Sequence, residues 1–478
     1  MSYTYNVITT APISLTRQPM LALTVALLLQ PPAQFIVANE PVIALTNARV
    51  IDGTGAAPRE RQTIVLRDGR IVSFGPTAST TVPTGAAVRD LSGKTVIPGL
   101  VMLHEHLFYV AGGGAYPTHA ESFPRLYLAG GVTSMRTAGN MGGYTDFNVA
   151  RNIETGKIPG PDIFVTAPYF NGPGLPIPGV KALRDSADAA RMATFWIDEG
   201  ATSFKAYMQI TRAELAAIVA VAHTRGVKVT GHLCSVTYAE AADIGIDNLE
   251  HGFFASTDFA PGKAVDQCPG AAGGKTGIAS RDVSDPAVQQ LLKHLVAKGV
   301  TITSTPTVME ISVPGQPKAP FGALDAMLPQ VRTQYETTWE RIARDTSGRA
   351  RREYTRMLEL EREFVRLGGR LVLGTDPTGY GGVVPGYANQ RAIQLLVAAG
   401  FTPVDAIHIA TLNGATFLGI DKRTGSIAVG KDADLVILDG DPMTDTDAIT
   451  RMQIVFKRGV GYDSAKLFAS VKGLVGWK

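Results

Sequence analysis

The sequence of 478 residues predicts an α/β protein in which a (β/α)8 TIM-type barrel carries a small discontinuous β-sandwich domain built from both chain ends. Two observations predict this arrangement. Eight short β-rich runs alternate with helical patterns in the middle of the chain, and strand-like runs too few to enclose a core of their own lie near either end. The length suits one barrel of about 250 residues together with a smaller domain.

The barrel prediction rests on the alternating segment between residues 98 and 417. Its eight predicted strands are 99–103, 131–137, 162–167, 202–207, 227–233, 246–251, 299–306 and 370–376. Helical patterns such as 212–224 and 236–245 separate several of these runs, which is typical of parallel strands joined by crossover helices. In a barrel of this kind, catalytic residues lie at the C-terminal ends of the strands.

The second predicted domain is composite. Alternating apolar and polar residues mark further strands at 43–51, 62–75, 94–97, 434–438 and 452–458. Asp68 and Gly69 stand where a hairpin turn would join two of them. Because neither set is large enough to bury a core, we expect 39–97 and 418–478 to pair into one β-sandwich domain.

The N-terminal residues bear on the cellular compartment of the protein. An apolar run of ten residues at 20–29 (MLALTVALLL) follows Arg17 and precedes a Pro-Pro pair, and it is shorter than the roughly 20 residues of a membrane span. We interpret 1–38 as a signal peptide, which predicts a periplasmic or secreted protein. The alternative is a start upstream of the true domain, in a cytoplasmic protein.

Charge and cysteine content restrict the partners. Lys and Arg number 45 against 42 Asp and Glu, so no basic surface for nucleic acid is indicated. We expect a small-molecule substrate, a homo-oligomer, and no membrane partner for the mature form. Cys234 and Cys268 are the two cysteines, and they allow one disulfide without predicting it.

The run PGLVMLHEH ends a predicted strand with two histidines. Residues two apart in a strand point to the same side, so His104 and His106 can reach one ion while Glu105 faces the other way. Other polar residues also fall at predicted strand ends, and together with this pair they would face one mouth of the barrel. The complete set is His104, His106, Lys205, His232, His251 and Asp376. This convergence predicts a metal site.

Lys205 has two interpretations. An ammonium among metal-binding histidines would repel a dication, and burial favours the neutral amine. That amine can add carbon dioxide to form a carbamate, an anionic ligand able to bridge two metals. The alternative is an ion pair with an Asp or Glu inside the barrel. Tyr207, two residues on, shares the face of Lys205 and is a candidate hydrogen-bond donor to the substrate carbonyl.

A family resemblance follows from these motifs. PGLVMLHEH, SFKAY, VTGHL, NLEHG and GTD, closed by TLNGATFLG and GSIAVGKDADLVILDGDP, resemble the amidohydrolase superfamily of metal-dependent hydrolases over about residues 43 to 460. Within it, the chain is similar to the imidazolonepropionase-like and Xaa-Pro dipeptidase-like branch, which has a carboxylated lysine at the fourth strand.

The resemblance implies two divalent metal ions and a set of residue roles. It assigns the more buried ion to His104, His106 and Asp376, the second ion to His232 and His251, and the bridging positions to carboxylated Lys205 and a hydroxide. Imidazole and carboxylate ligands suit zinc. Asp376 would act as general base and acid, taking a proton from the attacking hydroxide and passing it to the leaving amine.

The expected reaction is hydrolysis of an amide-type C–N bond in a dipeptide, an N-acyl amino acid or a related small amide. The alternatives are a mononuclear cyclic-amide hydrolase or deaminase, or a lactone, carbamate or organophosphate ester hydrolase on the same site. A catalytically silent relative would have lost ligands, whereas this chain retains all six.

Two insertions bear on access to the site. Residues 256–287, which contain Cys268, form a Gly- and Pro-rich loop that we interpret as a lid or a surface contact. Residues 322–367 form a charged helical segment with the same two interpretations. His119 lies in the loop after the first barrel strand, where we expect a solvent-exposed histidine.

Overall fold

The computed structural model describes residues 33–110, 116–175, 177, 179–269 and 277–476. Within these ranges the chain is an α/β protein with one large mixed sheet and two smaller parallel sheets. No helix in this part of the chain combines the length and the apolar character needed to cross a membrane.

The strands of the described residues are numbered in chain order. They are β1 Ile36–Ala38, β2 Val42–Val50, β3 Arg59–Arg67, β4 Arg70–Pro76, β5 Ala87–Asp90, β6 Lys94–Pro98, β7 Leu100–Glu105, β8 Val132–Thr137, β9 Asp162–Phe164, β10 Ser203–Ala206, β11 Lys228–Gly231, β12 Asn248–Glu250, β13 Thr301–Ser304, β14 Leu371–Leu373, β15 Leu435–Asp439, β16 Met452–Lys457 and β17 Val460–Asp463.

The large sheet combines both ends of the described chain. Its nine strands run in the order β1-β17-β16-β15-β6-β2-β3-β4, with β5 paired to β2. The N-terminal and C-terminal strands of this sheet meet at the antiparallel pair β6 and β15, in which Val436 lies opposite Ile97. As predicted, Asp68 and Gly69 form the turn between β3 and β4, both at positive φ. The division into domains at residues 97 and 418 stays a prediction.

The eight predicted barrel strands are all present, as β7 to β14. They form a three-stranded parallel sheet, β7-β8-β9, and a five-stranded parallel sheet, β10-β11-β12-β13-β14. On one side, Thr166 and Ser203 form an isolated parallel bridge between the two sheets. On the other side, the amides of Thr375 and Asp376 donate to the carbonyl of His104 at 3.1 and 2.9 Å.

Helices follow most of the parallel strands. They are α1 Ser122–Ala129, α2 Thr145–Glu154, α3 Ser186–Asp198, α4 Arg212–Thr224, α5 Tyr238–Ile244, α6 Pro286–Ala297, α7 Pro306–Glu310, α8 Phe321–Ala326, α9 Pro329–Ala343, α10 Arg349–Arg366, α11 Tyr387–Ala398, α12 Pro403–His408, α13 Gly414–Leu418 and α14 Ser464–Ala469. Both α4 and α5 start at a threonine that forms a capping box with a glutamate three residues later, which explains their sharp beginnings.

Three strands of the large sheet were missed by the sequence analysis. β1, β5 and β17 are three or four residues long, which is too short for an alternating pattern to stand out. β1 overlaps the end of the predicted signal segment 1–38, because Ile36 pairs with Tyr462 of β17. Residues 1–32 lie outside the described residues, and the signal peptide stays a prediction.

The charged segment 322–367 is helical, as predicted, and consists mainly of α9 and α10. In α10 the buried side chains Met357, Leu360 and Phe364 recur at helical spacing, while its arginines lie on the outer face. One face of this insertion is therefore part of the core.

Candidate metal centre

All seven residues singled out for chemistry line one cavity of about 210 Å³ at the C-terminal ends of the parallel strands. They are His104, His106, Lys205, Tyr207, His232, His251 and Asp376. Ligand atoms of His104, His251 and Asp376 lie within 4.8 Å of one another. The imidazole of His232 continues this group, with its ring centroid 4.5 Å from that of His251.

In three of the four imidazoles, one ring nitrogen takes part in a hydrogen bond. Nδ1 of His104 lies 2.7 Å from Oε2 of Glu250, and Nδ1 of His251 lies 2.8 Å from the Thr305 hydroxyl. Nδ1 of His106 lies 3.2 Å from the Gly139 carbonyl. Metal-binding histidines commonly carry such a partner on the ring nitrogen opposite the metal, because it sets the tautomer and the ring orientation. In each ring, Nε2 remains as the candidate ligand.

Asp376 is the carboxylate of this cluster. Its Oδ1 lies 3.2 Å from Nε2 of His106 and 3.7 Å from Nε2 of His104, while Oδ2 lies 3.8 Å from Nδ1 of His251. Asp376 and His251 both adopt positive φ, at 50° and 65°. Such backbone costs about 1–3 kcal/mol per residue and is concentrated at functional sites, where the surrounding structure imposes it.

Burial keeps the imidazoles of His104, His232 and His251 in the neutral form that binds metal. It lowers the pKa of His104 to about 4 and that of His232 to about 3, with the nearby Lys205 ammonium acting in the same direction. Burial likewise holds the pKa of His251 well below its usual value. Because metal ligands must be deprotonated, a set of neutral imidazoles with one carboxylate suits a divalent transition metal such as zinc.

Lys205 takes part in a buried charge cluster that the sequence analysis only partly foresaw. Its Nζ lies 3.6 Å from Oε1 of Glu250, so the ion pair considered as the alternative for this lysine is the contact that the structure contains. Arg136 donates to the same oxygen at 2.6 Å, and both side chains are fully buried. Together with His104, these cations hold the pKa of Glu250 well below its ordinary value, against the opposing effect of burial.

Glu250 and Arg136 are the site residues for which sequence reasoning assigned no role. Both lie in strands that were recognised, β12 and β8. The available signal was a charged residue inside a buried parallel strand, because such a residue requires a partner of opposite charge in the same interior.

Glu105 faces away from the cavity, as its position between the two histidines predicted. It accepts hydrogen bonds from the Thr375 amide at 3.1 Å and from Nδ2 of Asn389 at 3.0 Å. Burial raises the pKa of its carboxyl to about 8. Glu105 thus holds the backbone just before Asp376 to β7.

His119 was expected in solvent, and this expectation is wrong. The side chain is 8% exposed and stacks on Phe123, with ring centroids 4.6 Å apart. Its Nε2 accepts a hydrogen bond from the amide of Gly476 at 3.4 Å. His119 therefore packs between the loop after β7 and the C-terminal segment of the chain. The sequence of the loop did not indicate these contacts.

The two cysteines form a disulfide, with Cα atoms 4.9 Å apart. Cys234 lies two residues beyond His232, and Cys268 lies in the insertion 256–287. Within that insertion Asp258 accepts hydrogen bonds from the first amides of α5, those of Tyr238 and Ala239, at 3.0 Å each. The insertion is thus tied to the strand end that carries His232, and residues 270–276 of it lie outside the described part of the chain.

Removing this disulfide should destabilise the protein. It spans 34 residues, and a cross-link of that kind typically contributes about 2–4 kcal/mol to the free energy of unfolding. We expect the double variant Cys234→Ser/Cys268→Ser to unfold at lower urea concentration than the oxidised wild type and at the same concentration as the reduced wild type. An unchanged midpoint would contradict this expectation.

Comparison with known proteins decides the family. The model of the amidohydrolase family matches residues 95–461, which include every residue of the candidate centre. The chain belongs to the amidohydrolase family. The superfamily inferred from the motifs is thereby confirmed.

Individual relatives carry several activities. An adenine deaminase of Mesorhizobium japonicum is 23% identical over 442 residues, which cover 90% of this chain and 56% of that protein. An imidazolonepropionase of Symbiobacterium thermophilum is 38% identical over 78 residues, covering 16% of this chain and 18% of that enzyme. The matched regions thus span about half of the first relative and less than a fifth of the second.

Solved structures share the fold over most of the chain. A Bifidobacterium longum protein assigned as a prolidase matches with a TM-score of 0.64 and 26% identity, covering 91% of this chain and 99% of that one. A Xaa-Pro dipeptidase with bound methionine matches with a TM-score of 0.65 and 19% identity, covering 88% and 100%.

Proposed function

We propose that this amidohydrolase is a metal-dependent hydrolase that cleaves an amide-type C–N bond in a small molecule, and that β7 to β14 act as one (β/α)8 barrel with the site at its mouth. The observation that carries the proposal is the cluster of four histidines and Asp376 in one cavity, with ring nitrogens held by Glu250, Gly139 and Thr305. This donor set suits zinc.

The proposed ligands are those implied by the family motifs. His104, His106 and Asp376 would hold one ion, His232 and His251 the other, and a carbamate on Lys205 would bridge them. Arg136 and His104 contact Glu250 at 2.6 and 2.7 Å independently of Lys205, which supports a lysine that can be modified without leaving Glu250 uncompensated. Bound metal ions would activate a water molecule and polarise the scissile carbonyl.

The chain's own residues would carry the proton transfers. In the net reaction, water adds hydroxide to the acyl carbon, the bond to nitrogen breaks, and the remaining proton goes to the leaving nitrogen. Asp376 is placed to take that proton from water and to deliver it, because its carboxylate lies among the proposed ligands and reaches the cavity. Tyr207 lines the same cavity, where its hydroxyl can donate to the oxygen that gains negative charge.

A single-metal deaminase or cyclic-amide hydrolase is the second candidate. The 3.6 Å contact between Lys205 and Glu250 favours it, because a lysine kept as an ammonium ion would not bridge two metals. The similarity to an adenine deaminase over 90% of the chain points in the same direction.

Metal content separates the two candidates. We expect protein purified with zinc and bicarbonate to contain close to two metal ions per chain, and Lys205→Ala to contain one or none and to lose amide hydrolysis. Lys298→Ala is the matched control, because Lys298 pairs with Asp243 at the surface at 2.7 Å and is not among the residues that line the cavity. One metal in wild type and variant alike would rule out the bridge and favour the mononuclear reaction.

We also propose export to an oxidising compartment. The Cys234–Cys268 disulfide supports it, because disulfides persist outside the cytosol and are rare within it. Expression of the full chain with cell fractionation tests this: mature protein in the periplasm or medium is the expected result, and oxidised protein retained in the cytoplasm would contradict it.

A further inference from the structure

The wall of the cavity contains two pairs of aromatic rings besides its imidazoles. In the first pair, Phe108 stacks on His106 with ring centroids 4.3 Å apart, and Tyr116 meets Phe108 edge-on at 5.6 Å. In the second pair, the ring centroids of Tyr169 and Tyr207 lie 4.8 Å apart. All of these side chains line the cavity that holds the candidate metal centre. Their faces and edges therefore adjoin the place where the scissile bond would lie.

Aliphatic side chains also line the cavity. Val110, Met141, Ile177 and Val180 all contribute, and each is partly exposed. Partly exposed apolar side chains around a cavity gain free energy when a ligand removes them from water. These four side chains would therefore stabilise an apolar group of a bound ligand.

The cavity lining carries few charges. Among the described residues that line the cavity, Lys205 and Asp376 are the lysine and the carboxylate, and both belong to the candidate metal cluster. Lys205 already faces Glu250 at 3.6 Å. A substrate carboxylate held against the aromatic and aliphatic lining would lose water without gaining a paired cation, which is unfavourable.

We propose that the cavity selects amides in which an uncharged, flat aromatic group adjoins the scissile C–N bond. Aromatic rings prefer offset-stacked and edge-to-face neighbours, and Phe108, Tyr116 and Tyr169 are the lining rings that can offer such contacts to a bound aromatic group. This inference rests on the proposed hydrolase and narrows its substrates away from dipeptides and N-acyl amino acids. The small cavity of about 210 Å³ agrees with a single ring.

Three probes differing in one feature each test the proposal. N-acetylbenzylamine carries the aromatic group, N-acetylphenylglycine adds an α-carboxylate to it, and N-(cyclohexylmethyl)acetamide replaces the flat ring by a saturated one. We expect N-acetylbenzylamine to bind the zinc-loaded Asp376→Asn variant at least about tenfold more tightly than either relative in calorimetric titration. Equal affinities, or tighter binding of the carboxylate, would overturn the proposal.

Variants of the aromatic residues in the cavity wall test which side chains produce the preference for the benzyl compound. Phe108→Leu and Tyr169→Leu should each abolish most of the preference for the benzyl over the cyclohexyl compound, while the affinity for the cyclohexyl compound changes little. Phe321→Leu is the matched control, because Phe321 is 72% exposed and lies outside the cavity lining. A preference that survives both wall variants would place the aromatic group elsewhere and overturn the assignment.

Turnover by the wild-type enzyme distinguishes failure of this inference from failure of the proposed function. Cleavage of all three amides at equal kcat/KM would overturn aromatic selection and leave the hydrolase standing. Selective binding of N-acetylbenzylamine without its cleavage would uphold the aromatic subsite and contradict amide hydrolysis.

Discussion

Replacing Asp376 by asparagine should lower kcat/KM for amide hydrolysis by about 10²- to 10⁴-fold, the usual contribution of a positioned general acid or base. The substitution keeps the size of the side chain but removes its ability to take a proton. Asp376 Oδ1 lies 3.2 Å from Nε2 of His106 and 3.7 Å from Nε2 of His104. Because Asp376 is the one carboxylate among the described residues that line the cavity, no other carboxylate there can replace it.

Metal analysis separates the two roles of Asp376. If the carboxylate serves only as a ligand, activity of Asp376→Asn should return when excess zinc restores the metal content, which would contradict a role in proton transfer. Asp439→Asn is the matched control, because Asp439 lies in β15, is exposed, and pairs with Lys94 at 3.2 Å. We expect its kcat/KM and metal content to equal those of the wild type.

Replacing Arg136 by methionine should lower the free energy of unfolding of the metal-free protein by about 3–5 kcal/mol, as is usual when one partner of a buried ion pair is removed. Arg136 is fully buried and donates to Oε1 of Glu250 at 2.6 Å and to the hydroxyl of Thr230 at 3.2 Å. Without it, Glu250 keeps a buried negative charge whose remaining ion-pair partners among the described residues are His104 and the more distant Lys205.

Urea denaturation with a surface control tests the Arg136 prediction. Arg225 pairs with Asp198 at 2.9 Å, but the two side chains are 50% and 59% exposed. Arg225→Met should therefore change the free energy of unfolding by no more than about 1 kcal/mol. If Arg136→Met lowers the free energy of unfolding by no more than Arg225→Met does, the Arg136 guanidinium does not stabilise the charge of Glu250, and the prediction is wrong. The double variant Arg136→Met/Glu250→Leu should recover part of the loss, because no charge is then left buried alone.

Much of the site was predictable because its signals are local. The alternation of apolar runs and helical patterns placed all eight parallel strands, and the rule that residues two apart share a face separated His104 and His106 from Glu105. Polar residues at strand ends then identified one shared cavity, since parallel strands present their C-terminal ends on the same side.

The same alternation rule fails at His251. Glu250 and His251 are neighbours in sequence, so strand geometry would send them to opposite faces, yet Glu250 contacts His104 and His251 lines the cavity. The positive φ of His251 ends the regular strand at this residue and allows both side chains to serve the centre. Nothing in the local pattern indicates that turn, because the surrounding fold imposes it.

Local periodicity and short motifs were enough to predict the parallel strands, the candidate metal ligands and the family. The partners of the buried charges, the contacts of the aromatic lining, the disulfide and the burial of His119 became visible only in the folded chain. Those features join residues far apart in the chain, such as Arg136 with Glu250 and Tyr169 with Tyr207. Their energies depend on distance and exclusion from water, which a linear pattern does not encode.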